Sequence, residues 1–460
     1  MKEMDAFSIA QAVDGQLAAD GNIMVNSVSA DTRTISPGSL FVAIRGERFD
    51  GHDYIREALD KGASLVLAEK GASIDPDIPA VYAENTVEAL GKLARFHRSR
   101  FNIPVIAVTG SVGKTSTKEM IASVLSAGLK VHKTKGNFNN EIGLPLSALE
   151  LDDTHEAAVF EMGMRGFGEI SSLSRIVMPD IAVITNIGIS HIERLGSRQN
   201  ILKAKLEILH GMKDGGTVIL NGDDELLSGL RGLLRQRTLF YGMSEAVDVT
   251  GFDPVSKGEE GIGFTVQYNG DEFPLFVPAL GTHNVMNALA AISVAFALGF
   301  DKETVSRGLS SYAGDRLRMH IREIGGIKVI NDSYNAAPAS VSAALGVLAE
   351  IGSNRRKWAV LGDMLELGDW TESAHREIGR QVSELGIDFL VAVGDYSHWY
   401  AEGARDHGMP FDRIRLFEQS AQVEEYLAEW MNSGDVMLFK GSRKMKLDVL
   451  IDSLFNTAHE

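Results

Sequence analysis

Four apolar runs between residues 103 and 223 constrain the fold of this chain most strongly. They read IPVIAVTG, AAVFEMG, IAVITNIG and GTVILNGD, and each ends at a glycine or polar turn that a segment with helical character follows. Near-continuous apolar runs of this kind are typical of parallel strands in a sheet that helices cover on both faces. The pattern predicts an α/β domain with a parallel sheet that ends near Gly314.

The last third of the chain repeats this pattern. IKVINDSYNA, KWAVLGDMLELG, DFLVAVGD and DVMLFKGSRK predict four more parallel strands, in a Rossmann-like α/β domain. Ligands of open parallel sheets bind beyond the carboxyl ends of the strands. This rule nominates the residues at those ends, with ordinary strand-to-helix turns as the alternative at each: Asp332, Asn335, Gly362, Asp363, Lys440, Gly441 and Ser442.

The first 84 residues mix short strands with turns. LFVAI and SLVLAE are predicted strands, YIREALDKG is a predicted helix, and residues 86–101 form a helix that leads into the next domain. At roughly 150 residues per domain, a chain of 460 residues is expected to form about three domains. We place a small α/β domain at 1–84, a central parallel-sheet domain at 85–313 and a C-terminal Rossmann-like domain at 314–460.

Composition excludes several classes of function. The chain has no cysteine, which excludes disulfides, thiolate metal sites and cysteine nucleophiles. A formal net charge of −17 disfavours binding to nucleic acid, which needs a basic face. The longest apolar stretch, 285–300, contains Asn287 and Ser293 and is shorter than the ~20 residues of a membrane span. We expect a cytoplasmic protein without membrane insertion or a nucleic-acid partner, and a monomer.

The stretch VTGSVGKTSTKEM follows the first central strand and opens a helix. Gly110 and Gly113 allow the backbone to approach an anion, and free N–H groups at the helix start would point at phosphates. Lys114 would reach the terminal phosphates, and the Thr115 hydroxyl would bind Mg²⁺. The predicted ATP-binding loop therefore runs from Gly110 through Ser111, Val112, Gly113, Lys114 and Thr115 to Ser116. A glycine turn that only opens a helix is the alternative.

Three further residues are candidates for a metal or catalytic site. Glu161 ends an apolar strand, where a carboxylate is costly unless it has a partner, although a helix cap or a surface ion pair is the alternative. His191 follows another strand end and is either structural or a ligand. Lys205 lies in a predicted helix, where a lysine is normally a solvated surface residue, and it would be reactive only if buried, where the pKa of its amine falls.

Seven motifs occur in one order that resembles the Mur ligases, the ATP-dependent amide ligases of peptidoglycan synthesis. They are TGSVGKT, GNFNNEIGLP, FEMG, NIGISHIERLGS, AKLEI, NGDD and GTHNVMNALAA. Within the family, DSYNAAP, LGDMLELG with His375 following, and KGSRKMKLD resemble the members that add a dipeptide. The resemblance extends from about Ser29 to Asp448.

The resemblance implies an activity. An ATP-dependent ligase would add D-Ala-D-Ala to UDP-N-acetylmuramoyl-tripeptide through an acyl phosphate and release ADP and phosphate. A sister ligase that adds a single amino acid to a muramoyl-peptide or glutamate to a folate is the alternative. A guanine-nucleotide switch would need an N-K-x-D tetrapeptide, which the sequence lacks. The third residue of the tripeptide, lysine or diaminopimelate, is left open.

The resemblance also implies site residues. Lys114, Glu161, His191 and Lys205 would be catalytic, with Mg²⁺ held by Thr115, Glu161, His191 and, once carbamylated, Lys205. The remaining nucleotide contacts would be Asn284, Asn287, Arg316 and Asp332. Substrates would be bound by Ser29, Thr32 and Arg33 at the uridine diphosphate, by Asn137, Asn139 and Asn140 along the muramoyl-peptide, and by Asn335, Lys440 and Ser442. Turn formation is the alternative for the asparagines.

Overall fold

A computed structural model describes residues 1–46, 48–314 and 317–455 of the chain. Three main sheets are built from consecutive segments, with five strands between residues 16 and 83, nine between 105 and 277, and six between 320 and 440. The predicted fold class, three consecutive α/β units with a parallel sheet in the second and the third, is confirmed. The boundaries at 84 and 313 stay predictions.

The N-terminal unit has a sheet of order β2-β7-β6-β5-β4, in which only β2 runs antiparallel, and a small β1–β3 pair. Its strands are β1 Met4–Asp5, β2 Gln16–Ala18, β3 Met24–Val25, β4 Ser27–Ser29, β5 Ser39–Val42, β6 Ala63–Glu69 and β7 Ala80–Ala83. Its helices are α1 Ala6–Ala12 and α2 Ile55–Asp60, and α3 Thr86–Ser99 connects it to the central unit.

The central sheet has the order β16-β15-β14-β13-β12-β11-β8-β10-β9, parallel from β9 to β14 and antiparallel at the β15–β16 edge. The strands are β8 Val105–Thr109, β9 Val131–Lys133, β10 Ala157–Glu161, β11 Ile181–Ile184, β12 Thr217–Asn221, β13 Arg237–Gly242, β14 Val249–Ser256, β15 Ile262–Tyr268 and β16 Asp271–Val277. The helices are α4 Lys114–Ser126, α5 Gly143–Leu149, α6 Glu169–Val177, α7 Ile192–Leu195, α8 Arg198–Leu206, α9 Glu225–Ser228, α10 His283–Ala297 and α11 Lys302–Ser310.

Both faces of the central sheet are covered, which explains the unbroken apolar runs. Successive residues of a strand point to opposite faces. In β8, Ile106 and Val108 pack with α4, α10 and α11, whereas Val105 and Ala107 pack with α3, α5 and α6. Each strand therefore needs apolar side chains at every position, and the glycine and polar residues collect at the strand ends.

The C-terminal sheet has the order β17-β18-β22-β19-β20-β21, and only β17 runs antiparallel. The strands are β17 His320–Ile324, β18 Ile327–Asn331, β19 Lys357–Gly362, β20 Phe389–Val393, β21 Ile414–Phe417 and β22 Val436–Lys440. The helices are α12 Pro338–Ile351, α13 Thr371–Glu384, α14 Ser397–Asp406, α15 Ala421–Trp430 and α16 Leu447–Leu454.

No helix in the described part of the chain has the length and apolarity needed to cross a membrane. The apolar stretch at 285–300 instead falls largely within α10, whose side chains pack against the central sheet.

Helices α13 and α14 pack unusually closely. A β-carbon at Gly379 of α13 would overlap the carbonyl oxygen of Tyr400, and one at Gly403 of α14 would overlap the carbonyl oxygen of Arg376. The same α13 carries His375, whose Nδ1 lies 2.6 Å from the Thr371 carbonyl oxygen and whose Nε2 accepts the Met364 N–H at 3.1 Å. Helix packing thereby fixes the loop that follows β19.

Two glycine-to-alanine substitutions, one in the contact between α13 and α14 and one outside it, test this close packing. Gly379→Ala should lower the free energy of unfolding by roughly 1–3 kcal/mol, because the added methyl group meets backbone that cannot move aside. Gly346→Ala, at an exposed position of α12 with open space around it, should instead raise it by up to about 1 kcal/mol, since alanine has the higher helix propensity. Differential scanning calorimetry would measure both, and equal stabilisation by the two substitutions would contradict the close packing.

Candidate active site

The glycine loop lies in the middle of the central sheet. It follows β8, whose two neighbours are β10 on one side and β11 on the other. The chain leaves β8 through α4 to β9 on the β10 side, and reaches β11 only later, on the opposite side. A crevice opens where connections leave in opposite directions, which is the usual position of ligands in such sheets.

The loop is held by polar groups that follow β11. Asn186 accepts the Ser111 N–H with its carbonyl oxygen at 3.0 Å and the Val112 N–H with Oδ1 at 2.9 Å. The Thr185 hydroxyl donates to the Val112 carbonyl oxygen at 2.6 Å. A β-carbon at Gly110 would collide with this hydroxyl, so the close approach of the two segments requires glycine there.

The start of α4 presents uncapped backbone donors. Gly113 precedes the helix in a left-handed conformation, with φ of 84°, and no described side chain caps the first turn. A β-carbon at Gly113 would lie 2.7 Å from Asn287 Oδ1, which again favours glycine. Four N–H groups at a helix start lack intrahelical acceptors, and together with the helix dipole they form an anion site. These backbone groups therefore fit the phosphates of a nucleoside triphosphate.

Lys114 folds back over the loop. Its Nζ donates to the carbonyl oxygens of Gly110 at 2.8 Å and Ser111 at 3.4 Å. Burial lowers the pKa of this amine and the nearby Arg318 guanidinium lowers it further, whereas the Glu161 carboxylate raises it. The lysine is thus kept beside the loop by weak carbonyl contacts, which an anion could replace with stronger, charge-assisted ones.

Two cavities meet at the loop, and Val112, Gly113, Thr115, Arg318 and Ser340 line both. The first has a volume of about 510 Å³ and is lined by central and C-terminal residues that include Ser116, Asn284, Asn287, Asp332 and Lys440. The second, of about 890 Å³, is lined by Ser111, Lys114, Asn137, Asn139, Asn140, Glu161, His191, Asn335 and Ser442 among others. Both volumes suit small-molecule ligands.

Asparagine amides shape the first cavity. Thr117 Oγ1 donates to Asn287 Oδ1 at 3.1 Å, Asn287 Nδ2 donates to Asn284 Oδ1 at 2.9 Å, and Asn284 Nδ2 donates to the Leu280 carbonyl oxygen at 2.7 Å. This chain of bonds connects α10 to α4 behind the loop. The two asparagines therefore support the loop and line the cavity at once.

A buried ion pair closes the far side of the first cavity. Lys440, at the end of β22, donates to the Asp332 carboxylate that follows β18, and also to the Asn335 carbonyl oxygen at 3.0 Å. His283 faces this pair, and burial lowers the pKa of its imidazole to about 4. Asp332 and Lys440, which the strand-end rule nominates separately, are therefore in contact, and Lys440 holds both the aspartate and the Asn335 backbone in place.

Glu161 has an unused buried oxygen. It ends β10 beside Val108 of β8, and it is 2 % exposed. Its Oε1 accepts Asn139 Nδ2 at 2.8 Å, whereas its Oε2 is buried and has no hydrogen-bond partner within 1–46, 48–314 and 317–455. A buried carboxylate oxygen without a partner is costly and would be satisfied by a cation. This orphaned oxygen fits a magnesium ion, and Thr115, whose hydroxyl is the other predicted ligand, lines the same cavity.

His191 is held by the C-terminal unit. Its Nδ1 is hydrogen-bonded to Glu366 Oε2, and the bond from His191 is the main cause that lowers the pKa of the Glu366 carboxyl. Both residues have a left-handed backbone, with φ of 62° and 63°. In the described residues no three histidine or acidic side chains form a metal cluster, so an ion here would also need hydroxyl, phosphate or water ligands.

Lys205 lies behind the cavities and lines neither of them. It is 1 % exposed on α8, and burial lowers the pKa of its amine well below the usual value, with the Lys114 charge as the second cause. A helical lysine that the sequence leaves open as a solvated residue is therefore buried and close to Lys114. A lowered pKa favours the neutral amine, the nucleophilic form that carbamylation requires.

The asparagines after β9 divide their roles. Asn139 holds Glu161, and its carbonyl oxygen accepts the Gly163 N–H at 2.8 Å. Asn140 Oδ1 accepts the Gly143 N–H at 2.9 Å at the start of α5, so the turn-forming alternative describes part of its role. Asn137 lies exposed on the cavity wall. All three line the second cavity.

Other strand-end residues have structural roles. Ser442 lines the second cavity and its Oγ accepts the Leu365 N–H at 3.0 Å, which joins two strand ends. Asp363 instead accepts the Asp395 N–H at 2.9 Å, and burial raises the pKa of its carboxyl to about 6. Gly362, Asp363 and Gly441 line neither cavity. For these three, the alternative of an ordinary turn describes what the structure shows.

The predicted uridine diphosphate residues form a separate group in the N-terminal unit. Ser29 Oγ contacts Thr34 Oγ1 at 2.7 Å, Thr32 Oγ1 donates to Glu57 at 2.8 Å, and Arg33 pairs with Asp31. None of Ser29, Thr32 and Arg33 lines either cavity. They lie together, but the structure does not bring them to the glycine loop.

The predicted Arg316 lies outside the described residues. Arg318, which sequence reasoning missed, extends to the loop: its Nη2 lies 3.3 Å from Thr115 Oγ1 and its guanidinium is 4.2 Å from the centre of the Tyr334 ring. Sequence reasoning also missed Asn186, Thr185 and Glu366. A polar pair directly after an apolar strand signals Thr185 and Asn186, whereas no local signal identifies Arg318 or Glu366.

Comparison with known proteins agrees with this architecture. Three family models match the chain: the Mur ligase family catalytic domain at residues 24–110, the Mur ligase middle domain at residues 108–295 and the Mur ligase glutamate ligase domain at residues 317–443. The UDP-N-acetylmuramoyl-tripeptide–D-alanyl-D-alanine ligase of Bacillus subtilis is 41 % identical over 98 % of both chains.

Two solved structures are also similar. The UDP-N-acetylmuramoylalanyl-D-glutamyl-2,6-diaminopimelate–D-alanyl-D-alanyl ligase of Acinetobacter baumannii superimposes with a TM-score of 0.87 at 31 % identity, over 99 % of both chains. A MurF ligase of Thermotoga maritima in complex with ADP gives a TM-score of 0.81 at 30 % identity, over 94 % of this chain and 97 % of its own. With a glycine loop, two cavities and three domain matches in agreement, the chain belongs to the Mur ligase family.

Proposed function

We propose that this chain is an ATP-dependent ligase that joins D-Ala-D-Ala to UDP-N-acetylmuramoyl-tripeptide in peptidoglycan synthesis. One observation carries the proposal: a phosphate-binding loop with Lys114 lies where a nucleotide-sized cavity meets a larger second cavity. A phosphoryl group at that junction can pass from a nucleotide on one side to an acid on the other. Ligases named for this reaction align with nearly the whole chain, at 41 % and 32 % identity, which favours this reaction over the addition of a single amino acid.

In the first step the γ-phosphoryl group would move from ATP to the free carboxylate of the tripeptide, leaving ADP and an acyl phosphate. Both reactants are anions, so cations must reduce their repulsion. Lys114 and Arg318 are the protein cations at the junction, one from each unit. The uncapped N–H groups of α4 would hold the phosphates in place, and the Thr185 and Asn186 groups that fix Ser111 and Val112 keep those donors aligned.

Glu161 and Thr115 would hold Mg²⁺, and His191 with carbamylated Lys205 would hold a second ion. Bound magnesium supplies charge neutralisation of the phosphates. Asn139 fixes the Glu161 carboxylate, and Glu366 fixes the His191 ring by its Nδ1. Such outer partners orient ligands and are needed for their function.

In the second step the amino group of D-Ala-D-Ala would attack the acyl carbon, the carbon–oxygen bond to phosphate would break, and the amine would lose a proton. The C-terminal unit lines the second cavity with Asn335, Ser442 and Lys444, so the dipeptide would enter from this side. Closure over the cavity would keep water from the acyl phosphate.

The activity itself can be tested by phosphate release with ATP, Mg²⁺ and UDP-N-acetylmuramoyl-tripeptide. We expect turnover with D-Ala-D-Ala and little with single amino acids. Lys114→Ala should lower kcat by at least about 10³-fold, since it removes a cation aimed at the transferred group. Turnover with free amino acids but not with the dipeptide would refute the assigned substrate, and near-normal Lys114→Ala would refute the role of the lysine.

Glu161→Gln should raise the Mg²⁺ concentration needed for half-maximal phosphate release by about tenfold or more. The amide keeps an oxygen for Asn139 but loses the negative charge that would attract the ion. Isothermal calorimetry of ATP binding with and without Mg²⁺ gives a second measurement. An unchanged magnesium requirement would show that Oε2 is not a ligand.

Lys205 should be carbamylated in the active enzyme. Burial and the Lys114 charge lower the pKa of the amine and so favour its neutral form, which can add CO₂ and release a proton, and the product is an anion that can pair with Lys114. Activity should fall in CO₂-depleted buffer and return with bicarbonate, whereas Lys205→Ala should be inactive and insensitive to bicarbonate. Equal activity of the wild type in both buffers, with no carbamate carbon signal by ¹³C NMR, would exclude the modification.

A further inference from the structure

Seven basic side chains of the described residues line the second cavity, and four of them have a protein partner. Lys114 is bonded to loop carbonyls, His191 to Glu366, and Arg318 to Thr115 and the Tyr334 ring. Arg443, on the C-terminal side, forms an ion pair with Asp448.

Three of the seven have no partner in the part of the chain that the structure describes: Lys444 on the C-terminal unit, and Arg165 and Arg194, which lie together on the central unit. Both arginines line the second cavity and both are exposed, yet neither guanidinium forms an ion pair or hydrogen bond within the described ranges. Arg165 follows the Glu161 end of β10 by four residues, and Arg194 lies in α7, three residues after His191. The two arginines therefore lie on the central-unit wall, a short distance along the chain from the residues assigned to the reacting centre.

Two acids near the arginines already have hydrogen-bond partners. Glu169 Oε2 accepts the backbone N–H of Arg165 at 2.9 Å. The charges of Arg194 and Arg165 lower the pKa of the Glu366 carboxyl, but the hydrogen bond from His191 is the larger cause. Glu366 is thus already committed. Two neighbouring guanidinium groups on a cavity wall, neither of them paired with a carboxylate in the described residues, indicate that a ligand supplies the anion.

We propose that Arg165 and Arg194 form a subsite for a carboxylate of the muramoyl-peptide that is not phosphorylated, an inference that rests on the proposed function. A guanidinium fork matches a carboxylate with two parallel hydrogen bonds. Glu141, Glu161, Glu169 and Glu366 also line this cavity, so an extra carboxylate on the peptide would be repelled without these cations. The subsite would hold the peptide so that its other carboxylate meets the loop.

Two parts of the peptide can supply this carboxylate. One is the free carboxylate of the D-glutamyl residue, since a dicarboxylic residue joined through one carboxyl group keeps the other whether lysine or diaminopimelate follows it. The other is the second carboxylate of diaminopimelate, the residue in the name of the Acinetobacter baumannii relative. The chemistry of recognition is the same, and the substrate used in the assay distinguishes the two.

Steady-state phosphate release with Arg165→Gln, Arg194→Gln and the double variant tests the subsite. Each single change should raise KM for the muramoyl-tripeptide roughly tenfold, since a charge-assisted pair is lost. KM for ATP and for D-Ala-D-Ala should stay within about twofold. Arg235→Gln, an exposed arginine that lines neither cavity, is the matched control and should leave all constants unchanged.

Three peptides complete the test: the diaminopimelate form, the lysine form, and the lysine form with its D-glutamyl carboxylate amidated. If amidation weakens the wild type and leaves the double variant unaffected, the D-glutamyl carboxylate occupies the subsite. If the wild type prefers diaminopimelate over lysine and the double variant does not, the diaminopimelate carboxylate occupies it.

Two results would overturn the subsite while leaving the function intact. One is that the KM values of the variants equal those of Arg235→Gln with every peptide. The other is that the double variant raises KM over the wild type as much with the amidated lysine peptide, which lacks both candidate carboxylates, as with the other two peptides. No phosphate release by the wild type with any of the peptides would instead overturn the proposed function, and the subsite with it.

Discussion

The close approach between the loop after β8 and the residues after β11 determines the geometry of the whole site. Because Gly110 has no side chain, the Thr185 hydroxyl and the Asn186 amide come near enough to bond the backbone of Val112. These bonds satisfy the inward-facing groups of the loop. The N–H groups at the start of α4 are then left to face the cavities. A larger residue at position 110 would separate the two strand ends and misdirect every donor that follows.

Much of the fold could be predicted from the sequence because each strand of a parallel sheet has a recognisable local sequence pattern. A strand buried on both faces is apolar throughout, and its end is marked by glycine or a polar residue, as in β8, β10 and β11. Neighbouring parallel strands end at the same edge, so a carboxylate that ends one strand could be expected near the loop that ends another. Glu161 pairs in register with Val108, which gives that expectation its physical basis.

The rest of the site could not be predicted because it joins units that are far apart in the chain. Arg318 contacts Thr115 across 203 positions, and Glu366 contacts His191 across 175. Such contacts depend on how two sheets dock, and neither periodicity nor turn chemistry encodes docking. Lys205 shows the same limit in another form: its helix has an ordinary pattern, and only the packing of α8 reveals that the amine is buried beside Lys114.

The docked arrangement concentrates strain and charge at one place. His191 and Glu366 both have a left-handed backbone, which for residues other than glycine costs about 1–3 kcal/mol each and persists only where surrounding contacts fix it. Their hydrogen bond joins the two units at the second cavity. Solvent-exposed charges more than about 8 Å apart are largely screened at physiological salt, so distant surface charges contribute little inside the cavities. Whether an anion is bound there is decided by the few cations on the wall and by whether each has a protein partner, and this separates Arg165 and Arg194 from Arg443.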